Sequence, residues 1–210
     1  KVSVLLPYVA YSAATILALG ADEIVMHPFS NLGPIDPQLT TIKKNQQGQI
    51  EPRQFSSEDL RNFIEFIKTD VGITDQQHLI TAIAPLLSDV GTLQIGSAKR
   101  GQQLTLSLSE KMLNLHLSDK TTCKNIAKAL NSSYYHHGYA VGRKEAQDIG
   151  LAITTPDKDL EDLLWEVWQD FSNEMKANIV FDPIKELFEN PESSAILTQI
   201  PSIEIPANTP

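Results

Sequence analysis

A lone serine hydroxyl lies among small residues in the segment YSAAT, between one apolar run that precedes it and another that follows. Ser12 falls at the predicted start of a helix, where the first backbone amides have no intrahelical partner and negative charge is favoured. A serine becomes a nucleophile when a base accepts its proton and backbone donors stabilise the oxyanion. The alternative is that Ser12 caps the helix, as serines commonly do.

The elements that would position Ser12 are a buried strand at Val2–Leu6, a helix at Ser12–Leu19 and a strand at Asp22–Met26. This order predicts a parallel, layered α/β arrangement. The uncharged run from residue 2 to residue 21 also has the length of a bilayer-spanning helix, and its start imitates a secretory signal. Pro7 and the β-branched residues around it favour the division into strand and helix.

The composition of the 210-residue chain is that of one globular domain, with 41% hydrophobic and 20% charged residues. A formal net charge of −9 argues against a nucleic-acid partner, because such partners need a basic face. The single cysteine, Cys123, cannot form an internal disulfide. The sequence has no CxxC, HExxH or glycine-rich phosphate loop, so we expect no metal site and no cofactor.

Further along the chain, residues 40–54 are polar and glutamine-rich, which predicts a flexible connector or an insertion. Helices are predicted from a capping box at Ser56 and Asp59, from Thr74 to a bend or end at Pro85, at 97–113 and at 121–130. A short helix stopped by Gly150 precedes a strand. Asp157 opens a last helix, and the residues after 193 are predicted to be extended. The predicted apolar stripe of the last helix is Leu160, Leu163, Leu164, Val167 and Phe171.

The stretch LPYVAYSAATILALGADEIVMHPFSNLGPIDPQL resembles the serine dehydrogenase proteinase family, whose pattern is VPxYAxSAGTxxALxADEIVM followed by LGPxDPQ. That family is related to the signal peptide peptidase A and Clp protease group within the crotonase-like superfamily. The resemblance is nearly continuous over residues 6–39. It continues more weakly to about residue 155 through IGSAKRGQQLTLSLSEKML and YYHHGYAVGRKEAQDIGLAI.

The resemblance implies an α/β fold of the Clp protease/crotonase type, a spiral of ββα units, and a serine peptidase that acts on peptides or unfolded proteins as a homo-oligomer. It places the nucleophile at Ser12, an oxyanion-binding backbone N–H at Ala13 and a substrate-binding backbone at Gly33. Asp36 would orient a base or hold its own loop. His137 matches the family's histidine, although the family's next aspartate is Gly138 here.

A lysine base, as used by the signal peptide peptidase group, is the alternative to a histidine, and Lys68 and Lys99 are its candidates, both expected at the surface. A catalytically inactive member that binds peptides or serves as an oligomer scaffold is the rival function. Acyl-coenzyme A chemistry of the crotonase kind is a third possibility.

The family has a Gly-Gly turn upstream of the nucleophile, and nothing precedes Lys1 in this sequence. We therefore expect the chain to be the C-terminal part of a longer protein, to lack the N-terminal strands of the fold and to be unstable or inactive on its own. The longer protein is expected to be cytoplasmic or membrane-associated, and it could carry a membrane anchor. The expected divisions are a peptidase part at 1–155, a helical tail at 156–192 and an extended segment at 193–210.

Overall fold

Strands dominate the first part of the chain and helices the rest. The computed structural model describes residues 1–44, 49–132, 134, 138–180 and 182–189. The elements in chain order are β1 (Ser3–Leu6), β2 (Val9–Ala10), α1 (Ala13–Ala18), β3 (Glu23–Met26), β4 (Asn31–Leu32), β5 (Gln38–Lys44), β6 (Ile50–Ser56), α2 (Ser57–Thr69), α3 (Gln76–Val90), α4 (Thr92–Leu113), α5 (Lys120–Ser132), α6 (Arg143–Asp148), β7 (Ile153–Thr154), α7 (Lys158–Glu174) and α8 (Pro183–Glu189).

The strands that carry the Ser12 segment are parallel. One sheet has the order β1-β3-β7, and β2 pairs with β4 in a second, two-stranded sheet. Strand β1 ends opposite the end of β3, with Leu6 beside Met26, so both strands have their carboxyl ends at the same edge. This confirms the predicted mixed α/β class and parallel arrangement.

The apolar N-terminal run is divided into a strand, β1, and a helix, α1, as predicted, but the predicted turn between them contains the short strand β2. The prediction that the first strand is buried is wrong, because only Leu6 of β1 is buried and Leu5 is 49% exposed. Among the described residues, no single helix has the length and apolar composition needed to cross a bilayer. Helices α3 and α4 meet that criterion only when taken together, as a pair bent by 90°.

The main core lies against the strands around Ser12 and is closed by α4 and α5. Burying each of its larger aliphatic side chains contributes about 1.5–3 kcal/mol to stability. Strand β4 belongs to this core through Leu32 and the loop after it through Ile35, so the loop is fixed by packing. The fully buried members are Met26, Leu32, Ile35, Leu113, Cys123, Ile126, Ala127, Leu130, Val141 and Ala146.

The prediction of a flexible connector at residues 40–54 is wrong for the described part of that segment, because β5 and β6 form an antiparallel hairpin. The pairing runs from Gln38 opposite Ser56 to Lys44 opposite Ile50. Only one apolar pair, Leu39 with Phe55, packs into a second core cluster. The remaining side chains are polar or exposed, which hid the strand pattern. Residues 45–48 lie outside the described residues.

Two helix predictions are corrected. Helix α3 continues through Pro85 to Val90, so the predicted end at Pro85 is wrong, while the alternative, a bend at Pro85, stays a prediction. Because Pro85 has no backbone N–H, the Thr81 carbonyl lacks its usual helical hydrogen bond. Thr81 is exposed, so water can bind this carbonyl instead.

The inward face of α7 is rotated relative to the predicted stripe. Leu164 is buried, whereas Leu163 and Phe171 are 54% and 60% exposed. Trp165 and Trp168 turn inward and contact Tyr8, so the helix packs through aromatic residues that the aliphatic pattern left out.

The chain divides into two compact units, Lys1–Trp168 and Gln169–Pro210. The predicted site residues all fall in the first. The second unit contains the C-terminal end of α7 and the whole of α8. The segment expected to be extended after residue 193 lies outside the described residues.

Replacing Ser56 with alanine is expected to lower the free energy of unfolding by about 0.5–2 kcal/mol. Its hydroxyl accepts from the Asp59 N–H at 3.1 Å, and the Asp59 carboxylate accepts from the Ser56 N–H at 2.7 Å, forming the predicted capping box. Urea unfolding monitored by circular dichroism measures the loss. An unchanged midpoint would show that this cap does not stabilise α2.

Candidate functional site

Ser12 lies at a sharp turn between strand β2 and helix α1, with φ 52° and ψ −112°. A residue other than glycine at positive φ carries backbone strain of about 1–3 kcal/mol. Such strain persists only where the surrounding structure enforces it. Ser12 occupies the N-cap position, yet its side chain makes no capping hydrogen bond. The helix-cap interpretation of Ser12 is therefore wrong, and Ser12 is a half-buried residue.

The backbone amides after Ser12 are arranged as an incomplete first turn. The Ala14 N–H donates to Tyr11 O at 3.0 Å, and the Ile16 N–H donates to Ser12 O at 3.1 Å. Within the described residues, the Ala13 N–H has no such partner, and both alanines are exposed. A group that docks at Ser12 thus meets one free backbone donor beside the hydroxyl, at the residue predicted to bind an oxyanion.

Gly33 is brought next to this turn, but its amide is already used. Its N–H donates to Ala10 O at 2.9 Å and more weakly to Thr15 Oγ1 at 3.3 Å. The glycine is buried, and the Tyr11 ring lies so close that a Cβ there would stand 2.6 Å from Tyr11 Cγ. The Gly33 N–H is therefore engaged inside the protein, and a substrate-binding role for the Gly33 backbone stays a prediction.

Asp36 lies three residues after Gly33 and is 8% exposed. Its Oδ2 accepts a hydrogen bond from Gln38 Nε2 at 3.1 Å, so the carboxylate binds within its own turn. This agrees with the interpretation that Asp36 holds its own loop. The Ile35 N–H donates to Leu130 O at 2.8 Å, which fastens the loop to the end of α5. A role for Asp36 in orienting a base stays a prediction.

His137 lies outside the described residues. The chain that follows it is bonded to the strand before Gly33, because Val141 and Leu32 exchange two hydrogen bonds of 2.8 and 3.0 Å. Lys68 and Lys99, the alternative bases, are both exposed, and Lys99 Nζ donates to Gln102 Oε1 at 3.2 Å. Within the described part of the chain, no histidine or lysine nitrogen is hydrogen-bonded to Ser12 Oγ.

An aromatic cluster at the carboxyl ends of β1 and β3 was not predicted. Tyr8 stacks on Trp168 with ring centroids 4.4 Å apart, and His27 stacks on Trp165 at 5.1 Å. Phe29 contacts both His27 and Trp165. The two tryptophans come from a distant helix, so only their spacing on α7 could have signalled the cluster. Carboxyl ends of parallel strands are the usual location of ligand sites.

His27 is buried among these rings, and its Nδ1 accepts from the Phe29 N–H at 3.1 Å. Neutral His27 therefore carries its proton on Nε2. Burial lowers the pKa of His27 from its ordinary range. Among the neighbouring charges, Glu161 opposes this shift and Arg143 adds to it.

The protein is expected to lose stability as the pH falls below about 6.5, the ordinary pKa of histidine. In that range the unfolded chain binds a proton on His27 that the folded state resists, while above it His27 contributes no pH dependence. Denaturant unfolding of the wild type and His27→Phe between about pH 7.5 and about pH 5 measures this. The wild-type decline should exceed that of the variant, and parallel declines would contradict the prediction.

Among the described residues, no three His, Cys, Asp or Glu side chains come together as a metal site would require.

The chain is similar to two proteins of Methanocaldococcus jannaschii. It is 28% identical over 155 residues to the uncharacterized protein MJ0137, and 23% identical over 155 residues to the uncharacterized protein MJ1495. The alignments cover 72% and 74% of this chain. No protein-family model matches the chain, and no solved structure matches it. The chain spans 43% of the length of each archaeal relative.

Proposed function

We propose that this chain carries the nucleophile of a serine peptidase with a Clp protease/crotonase-like arrangement of ββα units. Its substrates are peptides or unfolded proteins, and it resembles the serine dehydrogenase proteinase family. The observation that carries the proposal is the conformation of Ser12. The residue is strained at positive φ between a strand and a helix, and its side chain is released from capping. Serine hydrolases use such strand-to-helix turns to present the nucleophile.

In the proposed reaction, Ser12 Oγ attacks the carbonyl carbon of the scissile peptide bond. A base takes the hydroxyl proton and passes it to the leaving amine, and water then hydrolyses the acyl-enzyme. The Ala13 N–H donates to the oxyanion, and its freedom in the first turn supports that role. Asp36 or His137 is proposed to assist the proton transfer or to hold the adjoining loop.

Self-association is part of the same proposal. Helix α3 is apolar in sequence but has no buried residue, and Ile80 and Leu87 are 68% and 38% exposed. Contiguous exposed apolar surface is typical of protein–protein contacts. A homo-oligomer that covers α3 would remove this surface from water.

The second candidate is a non-catalytic peptide-binding or scaffold subunit of the same fold. One observation favours it: the Gly33 N–H is committed to Ala10 O, so a donor predicted for the substrate side is engaged internally. Such a protein would bind peptides with an unreactive Ser12.

Labelling with a fluorescent fluorophosphonate tests the proposal. The longest natural form of the protein should be labelled, its Ser12→Ala variant should not be, and its Ser56→Ala variant should be labelled at the wild-type rate. Ser56 is the matched control because it is a true N-cap serine. A folded wild-type protein that stays unlabelled, or labelling that survives Ser12→Ala, would overturn the peptidase proposal. Peptide binding without labelling would support the scaffold function.

A further inference from the structure

Thr15 is fully buried beneath the first turn of α1, and its hydroxyl joins two chain segments. Oγ1 lies 2.6 Å from Ala10 O and 2.9 Å from Gly33 O, and it accepts from the Gly33 N–H at 3.3 Å. A hydroxyl has one proton, so it donates to one carbonyl at a time, and the shorter distance favours Ala10. The Gly33 N–H completes this network through its own bond to Ala10 O.

These bonds close a small loop of chain around Ser12. Ala10 is the last residue of β2, and Thr15 lies on α1, so a bond between them fixes the chain on both sides of Ser12. The backbone ladder between β2 and β4 ends with the Ala10–Leu32 pair. The Thr15 hydroxyl extends this connection by one residue, to Gly33. A strained backbone persists when its surroundings fix it in this way.

We propose that the Thr15 hydroxyl is the positioning group of the Ser12 turn: it holds Ser12 at positive φ and sets the turn against the Gly33 loop. Its effect on catalysis rests on the proposed function, whereas its effect on the Ser12 backbone does not. Thr15 acts through Ser12 and does not contact substrate. A shift of about 1 Å in a nucleophile lowers reactivity by about 100-fold, so a loosened turn has a measurable consequence.

Two variants of Thr15 separate its hydroxyl from its volume. Thr15→Val keeps the shape and removes both hydrogen bonds, whereas Thr15→Ser keeps the hydroxyl. Thr105→Val is the matched control, because Thr105 Oγ1 also bonds two groups away from the Ser12 turn, Gln102 O at 3.0 Å within α4 and Asn131 Oδ1 at 2.7 Å on α5. Thermal unfolding of all three gives the loss of stability for comparison.

The first readout is the ¹³Cα and ¹³Cβ chemical shifts of Ser12, which report backbone conformation. Thr15→Val should move them away from the positive-φ values, while Thr15→Ser and Thr105→Val should keep the wild-type values. If Thr15→Val does not fold, Thr15→Cys, with similar volume and a weaker hydrogen bond, should move the shifts in the same direction. Wild-type shifts in Thr15→Val, or in Thr15→Cys where it replaces that variant, would overturn the proposal.

The second readout is the fluorophosphonate labelling rate. Thr15→Val should be slower by about 10- to 100-fold, with recovery in Thr15→Ser and no change in Thr105→Val. An equal slowing in Thr105→Val would assign the effect to lost stability and would overturn the catalytic part. If the wild type is not labelled, the peptidase proposal fails, and the chemical shifts still decide whether Thr15 holds the turn.

Discussion

Replacing Ser12 with glycine is expected to give a protein more stable than Ser12→Ala by about 1–2 kcal/mol, although both variants lack the hydroxyl. Ser12 has φ 52° and ψ −112°, a conformation that penalises any residue with a Cβ by about 1–3 kcal/mol. Glycine does not carry this strain. It lowers the free energy of unfolding by about 0.5–1 kcal/mol, because it raises the conformational entropy of the unfolded chain. Denaturant unfolding of both variants measures the difference.

The control for this comparison is Ala14→Gly, two residues further on. Ala14 is exposed and lies inside α1. Glycine there should cost about 0.5–1 kcal/mol, because the backbone is helical and gains nothing from added freedom. If Ser12→Gly proves no more stable than Ser12→Ala, Ser12 is unstrained and the argument for a nucleophile loses its main support.

Replacing Gly33 with alanine is expected to destabilise the protein by about 1–3 kcal/mol, the usual cost of overpacking. The new Cβ would stand 2.6 Å from Tyr11 Cγ and 2.9 Å from Tyr11 Cε1. The ring atoms nearest the backbone are involved, so the whole ring must swing away. Tyr11 precedes Ser12, and the fluorophosphonate labelling rate should therefore fall together with stability.

A double-mutant cycle tests the cause of this loss. If the Tyr11 ring is the obstacle, adding Gly33→Ala to a Tyr11→Ala background should cost less than adding it to the wild type. Gly96→Ala is the control, because a Cβ at Gly96 meets no atom within 4 Å, and alanine should stabilise the interior of α4. Equal costs in both backgrounds would rule out the Tyr11 contact.

The location of the Ser12 turn could be predicted from sequence, but its backbone conformation could not. The small residues after Ser12, the apolar strand segment before it and the helix after it are local features, and β1 and α1 lie where they were expected, whereas the short strand β2 was not predicted. Positive φ at a serine has no local signal, because Asn, Asp and Gly are the residues that favour it intrinsically. Here it depends on Thr15 and Gly33, and Gly33 approaches only through the pairing of β2 with β4.

The features that sequence reasoning missed depend on contacts between distant segments. The β5–β6 hairpin is held by a backbone ladder, with one apolar pair, Leu39 and Phe55, to indicate a buried face. Gly33 matched the family's pattern, yet its amide is engaged by Ala10 O once β2 and β4 pair. The inward face of α7 depends on Tyr8, which lies near the other end of the unit.

The aromatic cluster gives the protein an optical property that requires no label. The sequence contains two tryptophans, Trp165 and Trp168, and both belong to this cluster. Intrinsic tryptophan emission therefore reports on one location, the surroundings of Tyr8. Tyr8 lies four residues before Ser12 in the sequence. Because His27 stacks on Trp165, protonation of its imidazole changes the charge next to the indole. Emission intensity can thus follow the ionisation of His27 and the arrival of a molecule at the carboxyl ends of β1 and β3.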